Sequence, residues 1–161
     1  MTIGTELLRQ HFETLVNDFV AWQCLLAPGI VWELPFAAAL GHPTRLSGRD
    51  AVVRHARWFV QSVTHFRFVD RTIEALTDPR CAVAEVKAEG IIKLTRRAYQ
   101  QTYIVFLRAD TRKIAFLREY FDPVRAAQAL NAPILELPPD ASPNALREGQ
   151  RERGNSHPSD F

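Results

Sequence analysis

The spacing of apolar residues along this chain changes from a helical to an alternating period after about residue 63. Apolar residues recur at helical spacing over 6–16, 19–26 and 50–63, which predicts three helices. The segment 30–36 alternates and predicts a strand between the second and third helices. Beyond the third helix, alternation predicts four strands, over 66–76, 81–94, 98–109 and 113–121, and a last short helix over 124–130.

Short turns join the four later strands, so the sequence predicts a meander of antiparallel hairpins. Strand 81–94 carries small residues on one face, which should pack inward, while Glu85 and Glu89 should face water or a partner. Helices followed by a meander indicate an α+β fold. We expect a cone-shaped half barrel, in which a strongly curved antiparallel sheet wraps around about three N-terminal helices and leaves an apolar pocket at its open end.

These elements place one domain over residues 1–134. From residue 135 onward, prolines mix with serine, asparagine, glycine and charged residues. Such a segment cannot bury much apolar surface, so we expect 135–161 to be a mobile tail or an arm that orders only on a partner.

The composition indicates a globular protein that binds neither nucleic acid nor membranes. Hydrophobic residues make up 47% of the 161 residues and charged residues 24%, and the net charge is +2 with no strongly basic cluster. No stretch approaches the ~20 apolar residues of a membrane span, and Met1–Gly4 does not begin a signal peptide, so a cytoplasmic protein is expected. Cys24 and Cys81 are expected to be core residues. No motif or spacing implies a metal or a cofactor.

The segment that ends the last predicted strand contains an acid among apolar side chains. Alternation places Ala115, Leu117, Glu119 and Phe121 on one face, so Glu119 would face an apolar interior. Burial without a partner raises the pKa of a carboxyl group into a range that suits proton transfer. The alternative is a structural acid that is paired with an arginine.

His55 lies in the apolar stripe of the third predicted helix. It is one turn from Ala51, Trp58 and Phe59, so its imidazole should face the interior. It is either a core histidine whose hydrogen bonds are satisfied or, if Glu119 approaches it, one member of a coupled acid–base pair.

Aromatic residues are numerous enough to line a pocket for a flat or cyclic apolar ligand. The candidate ligand-binding residues are Trp32, Phe36, Trp58, Phe59, Phe68 and Tyr103, and the tyrosine could offer its hydroxyl to a substrate oxygen. The alternative is that these side chains form an ordinary core.

Three segments resemble SnoaL-like proteins, which belong to the superfamily of ketosteroid isomerase and nuclear transport factor two. They are LLAPGIVWE at 25–33, LSGRDAV at 46–52 and REYFDP at 118–123. A narrower resemblance is to the phenazine-biosynthesis A/B proteins. It rests on the run from His55 to Trp58, on Arg118-Glu119-Tyr120, and on ALNAP at 129–133.

The resemblance implies acid–base roles for His55 and Glu119 in one pocket. The expected function is a cofactor-independent isomerisation, cyclisation or condensation of a small cyclic, polyketide-like or phenazine-precursor-like metabolite. A non-catalytic ligand-binding protein and a dimeric assembly module with a filled pocket are the alternatives. A homodimer through the outer face of the sheet is expected as well, since that face must be covered.

Overall fold

The computed structural model describes residues 1–137, and the predicted tail from residue 138 onward lies outside them. Its helices are α1 (Ile3–Asn17), α2 (Phe19–Leu25), α3 (Arg49–Ser62) and α4 (Pro123–Leu130), with a short 3-10 helix at Ala37–Leu40. The strands are β1 (Leu26–Glu33), β2 (Arg45–Ser47), β3 (Val63–Ala75), β4 (Cys81–Ile92), β5 (Ala98–Asp110) and β6 (Lys113–Tyr120).

The six strands form one sheet in the order β2-β1-β6-β5-β4-β3. The four long strands β3 to β6 pair antiparallel as a meander, which confirms the predicted hairpins. One pairing differs from the prediction, because β1 runs parallel to β6 and the sheet is mixed. β1 follows α2 without a loop. It lies beside β6, on the side of β6 that is opposite to β5.

Two irregularities bend β3 against β4. The register shifts between Thr64 and Arg67 and again between Val69 and Thr72. His65 and Asp70 have positive φ at these shifts, the conformation that an extra residue in a bulge often adopts. Bulges increase local twist and bend the strand, so the sheet curves into the expected half barrel.

The helices cover the concave face of the sheet. Ala82, Ala84, Val86 and Ala88 of β4 are buried there, as predicted, and Glu85 is exposed on the other face. Gly4 lets α1 approach closely, because a Cβ at this position would lie 2.7 Å from the backbone of Cys81. Cys81 is buried as expected, but the prediction for Cys24 is wrong, since it is exposed near the end of α2.

Helix caps fix where α1 and α4 begin. Thr2 and Thr5 form a capping box, so α1 begins before the predicted residue 6. Asp122 accepts from the backbone N–H groups of Val124 and Arg125, and Pro123 occupies the first turn of α4. Thr95 and Arg97 bind carbonyls of the last turn of α4, which ties this helix to the β4–β5 hairpin.

The segment between β1 and β2 closes over one end of the cone. Its 3-10 helix ends at Gly41, whose φ of 72° is the left-handed conformation that favours glycine. The backbone N–H of Leu135 donates to the carbonyl of Ala39, so the chain after α4 packs against this helix. No helix within residues 1–137 is long and apolar enough to cross a membrane.

Candidate functional site

An apolar cavity lies between the concave face of the sheet, α3, α4 and the 3-10 helix. Its volume is about 90 Å³, well below the ~300–1,000 Å³ of pockets for drug-sized ligands. The structure therefore accommodates only a small ligand unless the wall moves. The wall is mainly aromatic and aliphatic, and its ionisable members are His42, His55, Tyr99, Tyr103 and Glu119.

Glu119 of β6 carries the acidic group of the cavity. Burial raises the pKa of its carboxyl group from 4.5 to about 8. The neighbouring Arg118 lies on the opposite face of β6, where its guanidinium donates to the carboxylate of Glu33 at 2.7 Å. Within residues 1–137 no arginine pairs with Glu119, and the carboxyl group faces the cavity with its proton largely retained at neutral pH.

His55 of α3 borders the same cavity and stays neutral at neutral pH. Burial, helped by the nearby His42, lowers the pKa of its imidazole. No hydrogen bond or ion pair joins His55 to Glu119 in the part of the chain that the structure describes. The two side chains share a cavity but do not make the direct contact of a coupled pair. Burial therefore dominates both pKa values and moves each toward its uncharged form.

Two buried tyrosines of β5 form a pair beside Glu119. The hydroxyls of Tyr99 and Tyr103 lie 2.7 Å apart, so one donates to the other. Burial, with a further contribution from Glu119, raises the pKa of both hydroxyls, so they stay protonated. Two hydroxyls carry two protons and their mutual bond uses one, so the second is left to donate to a third acceptor.

A row of rings runs from the mouth of the cavity to its wall. His42 packs on Trp58 with ring centroids 5.1 Å apart, Trp58 on His55 at 5.6 Å, and His55 edge-on to Trp32 at 5.8 Å. Trp58 is 43% exposed although it lines the cavity, so it separates the cavity from solvent. The indole N–H of Trp32 is buried and meets no acceptor among residues 1–137.

Most of the predicted site residues come together in this cavity. Its lining includes Trp32, His55, Trp58, Phe59, Phe68, Tyr103 and Glu119. Phe36 does not belong to it and is 47% exposed, packed against Tyr120 at 5.4 Å between centroids. The prediction for Phe36 extended the alternation of β1 too far, because β1 ends at Glu33 and the chain turns into the 3-10 helix.

Sequence reasoning missed His42 and Tyr99. His42 was passed over because it stands in a loop, outside any periodic pattern. Tyr99 shares a strand face with Gln101 and Tyr103, so alternation along β5 could have found it. Gln101 is buried and bonds both backbone groups of Asp122, which fixes the turn that follows Glu119.

The comparisons with known proteins assign the chain to a family. The model of the SnoaL-like domain matches residues 8–117. The chain belongs to the SnoaL-like domain family. It is similar to an uncharacterised PhzA/B-like protein of Pseudomonas aeruginosa, with 32% identity over 126 residues, 78% of this chain and 88% of the relative. The resemblance found in the sequence is therefore confirmed.

Solved structures show the same fold at low sequence identity. A candidate isomerase from Bacillus subtilis superposes with a TM-score of 0.74 at 24% identity, over 83% of this SnoaL-like chain and 96% of that one. A phenazine biosynthesis-related protein from Pseudomonas aeruginosa superposes with a TM-score of 0.70 at 19% identity, over 88% of each chain. The cone-shaped α+β fold of the ketosteroid isomerase and nuclear transport factor two superfamily is thus confirmed.

Proposed function

We propose that this protein is an acid–base enzyme that moves a proton on a small, mainly apolar cyclic metabolite, in an isomerisation, cyclisation or condensation. One observation carries the proposal. Glu119 presents a carboxyl group to an apolar cavity with no protein donor or counter-ion among the described residues to fix its charge. With a pKa of about 8, roughly a tenth of the molecules are ionised at pH 7, so both forms are accessible.

The roles of the other side chains follow from their protonation states. The spare proton of the Tyr99–Tyr103 pair donates to a carbonyl oxygen of the substrate, which stabilises negative charge that develops there. The ionised Glu119 removes a proton from the carbon next to that carbonyl and returns it at another position. His55 is neutral and serves as the second proton carrier.

Family membership and the names of related proteins support the reaction class. The chain shares its family with SnoaL-like proteins, and its similarity to a candidate isomerase and a phenazine biosynthesis-related protein is consistent with proton-transfer chemistry. The small cavity favours a compact ring over an extended polyketide.

Proton exchange in heavy water tests the proposal without knowledge of the natural substrate. Small cyclic ketones and enones would be incubated with the protein in D₂O, and NMR would follow the loss of protons next to the carbonyl. We expect catalysed exchange that Glu119→Gln abolishes and Tyr99→Phe slows by roughly 100–1,000-fold. Glu85→Gln is the matched control, because Glu85 is exposed on the outer face of the sheet.

A ligand-binding protein without catalysis is the second candidate. The observation that favours it is the lack of a direct contact between His55 and Glu119. In this case a ring compound would raise the melting temperature of the wild type, while no compound in the panel would exchange its protons faster than in buffer. That combined result would overturn the enzymatic proposal.

A further inference from the structure

His42 is the ionisable residue of the cavity that the proposed chemistry does not use. It lies just beyond the 3-10 helix, where its backbone N–H donates to the carbonyl of Ala37 and the N–H of Gly41 to that of Ala38. The left-handed conformation of Gly41 turns the chain back at this point. These contacts fix a loop residue at the cavity mouth, and its imidazole makes no hydrogen bond to any other residue among 1–137.

The ring of His42 makes two interactions that reach the proposed site. It packs on one side of Trp58, and His55 packs on that indole as well, with centroid distances of 5.1 Å and 5.6 Å. The indole is thus held in place by two imidazoles, one from the loop and one from its own helix. A positive charge on His42 acts on His55 across this stack, in the direction that opposes protonation of His55.

We propose that His42 is a positioning residue of this site, which holds Trp58 across the mouth of the cavity and is coupled to His55 through the indole that both imidazoles contact. The role in catalysis rests on the proposed function, whereas the coupling between the rings does not. Trp58 is the most exposed of the lining residues, so a ligand that enters beside α3 contacts or displaces it. The predicted consequence is a neutral His55, ready to accept a proton, at a pH where a free imidazole would already be partly charged.

Other ionisable groups around the stack do not account for this effect. Glu119 from β6 and the tyrosines of β5 border the same cavity, and an ionised Glu119 would favour the charged form of His55 rather than the neutral one. Arg45, three residues after His42, is bound to Glu33 at 2.6 Å. Asp50 and Arg54 on α3 are exposed to solvent.

NMR titration of the histidine side chains tests the charge effect. His42→Phe keeps a ring on Trp58 and removes the charge, while His42→Gln removes both. We expect the titration midpoint of His55 to move upward, toward the ordinary 6.5, in both variants. His65→Asn is the control, because His65 is an exposed residue on β3 and asparagine tolerates its positive φ. An unchanged midpoint in both His42 variants would overturn the charge effect.

Tryptophan emission tests the packing role, with a Trp58→Phe spectrum subtracted to isolate Trp58. His42→Gln should shift the Trp58 emission to longer wavelength because the indole loses its cover, and His42→Phe should leave it unchanged. Equal spectra for wild type and His42→Gln would overturn this role.

Proton exchange distinguishes the two proposals. If the NMR and emission shifts occur but wild-type protein exchanges no substrate proton, the proposed function fails and the coupling stands. If exchange occurs, its rate falls below pH 8 as Glu119 gains a proton, and it falls more steeply below the titration midpoint of His55. This second break in the pH profile should move to higher pH in both His42 variants but not in His65→Asn. A second break that does not move refutes the role of His42 in catalysis.

Discussion

Replacing Glu119 with glutamine should stabilise the folded protein at alkaline pH and leave its stability nearly unchanged in acid. Burial raises the pKa of Glu119 from 4.5 to about 8. Between these values the folded protein keeps a proton that the unfolded chain has released, so the wild type loses stability as the pH rises from about 4.5 to 8. Glutamine has nearly the same shape and no proton to lose, so the variant avoids this loss.

The expected effect is a large fraction of the total stability. A displacement from 4.5 to about 8 corresponds to about 5 kcal/mol at ~1.36 kcal/mol per unit, fully developed above pH 8. Glu119 is partly exposed and its carboxyl group borders the cavity, so water in the cavity lowers this figure and about 5 kcal/mol is the upper limit. A domain of this size has ~5–15 kcal/mol in all.

Urea unfolding at pH 4, 6, 8 and 9, followed by tryptophan fluorescence, measures the effect. The quantity of interest is the stability of Glu119→Gln minus that of the wild type at each pH. Groups common to both proteins, such as His11, cancel in this difference. Glu85→Gln should show no such trend. A difference that is the same at pH 4 and pH 9 would refute the argument that Glu119 is desolvated.

Five further outcomes are expected. The buried His11, which accepts from the indole N–H of Trp22 at 3.0 Å and whose pKa burial lowers to about 4, should titrate near pH 4 by NMR, and a midpoint above 6 would contradict its burial. Its neutral form costs about 3 kcal/mol of stability as the pH falls from 6.5 to 4, which urea unfolding of Glu119→Gln at these two pH values should detect, because this variant lacks the opposing effect of Glu119. Tyr99→Phe leaves the buried hydroxyl of Tyr103 without its partner and should lower the free energy of unfolding by ~1–3 kcal/mol, and no loss would mean that the hydroxyl finds water instead. Gly41→Ala should cost ~1 kcal/mol because of the positive φ and Gly41→Asn less, whereas equal stabilities in urea would show that the turn relaxes. We propose a homodimer through the outer sheet face, where Ile104 is 39% exposed; sedimentation should show a dimer at micromolar concentration and Ile104→Lys should weaken it, while a wild-type monomer would contradict the proposal.

The sequence predicted the elements that have a strong period. The three N-terminal helices and the four strands of the meander appear within about three residues of their expected ends. The prediction failed where the pattern is too short or runs past the element. Neither the three-residue β2 nor the 3-10 helix repeats long enough to show a pattern, and the end of β1 was misplaced because the alternation continues beyond Glu33 to Phe36.

The side of the strand or helix on which Glu119 and His55 lie could be predicted, because it depends only on local geometry. Alternation along β6 and helical spacing along α3 decide which side of each element a residue occupies. Tyr99 could have been found by the same rule on β5. His42 could not, because a loop residue has no period and its position depends on the turn at Gly41.

The sequence by itself therefore determined the order of the helices and strands, the inner face of each, and the residue types that this face offers to a cavity. Only the tertiary structure decided the distances between those residues. It placed His55 and Glu119 in one cavity, joined Tyr99 to Tyr103, and bound Arg118 to Glu33 rather than to Glu119. The physical reason is that periodicity fixes direction within one element, whereas contact between elements depends on strand register, bulges and the curvature that they produce.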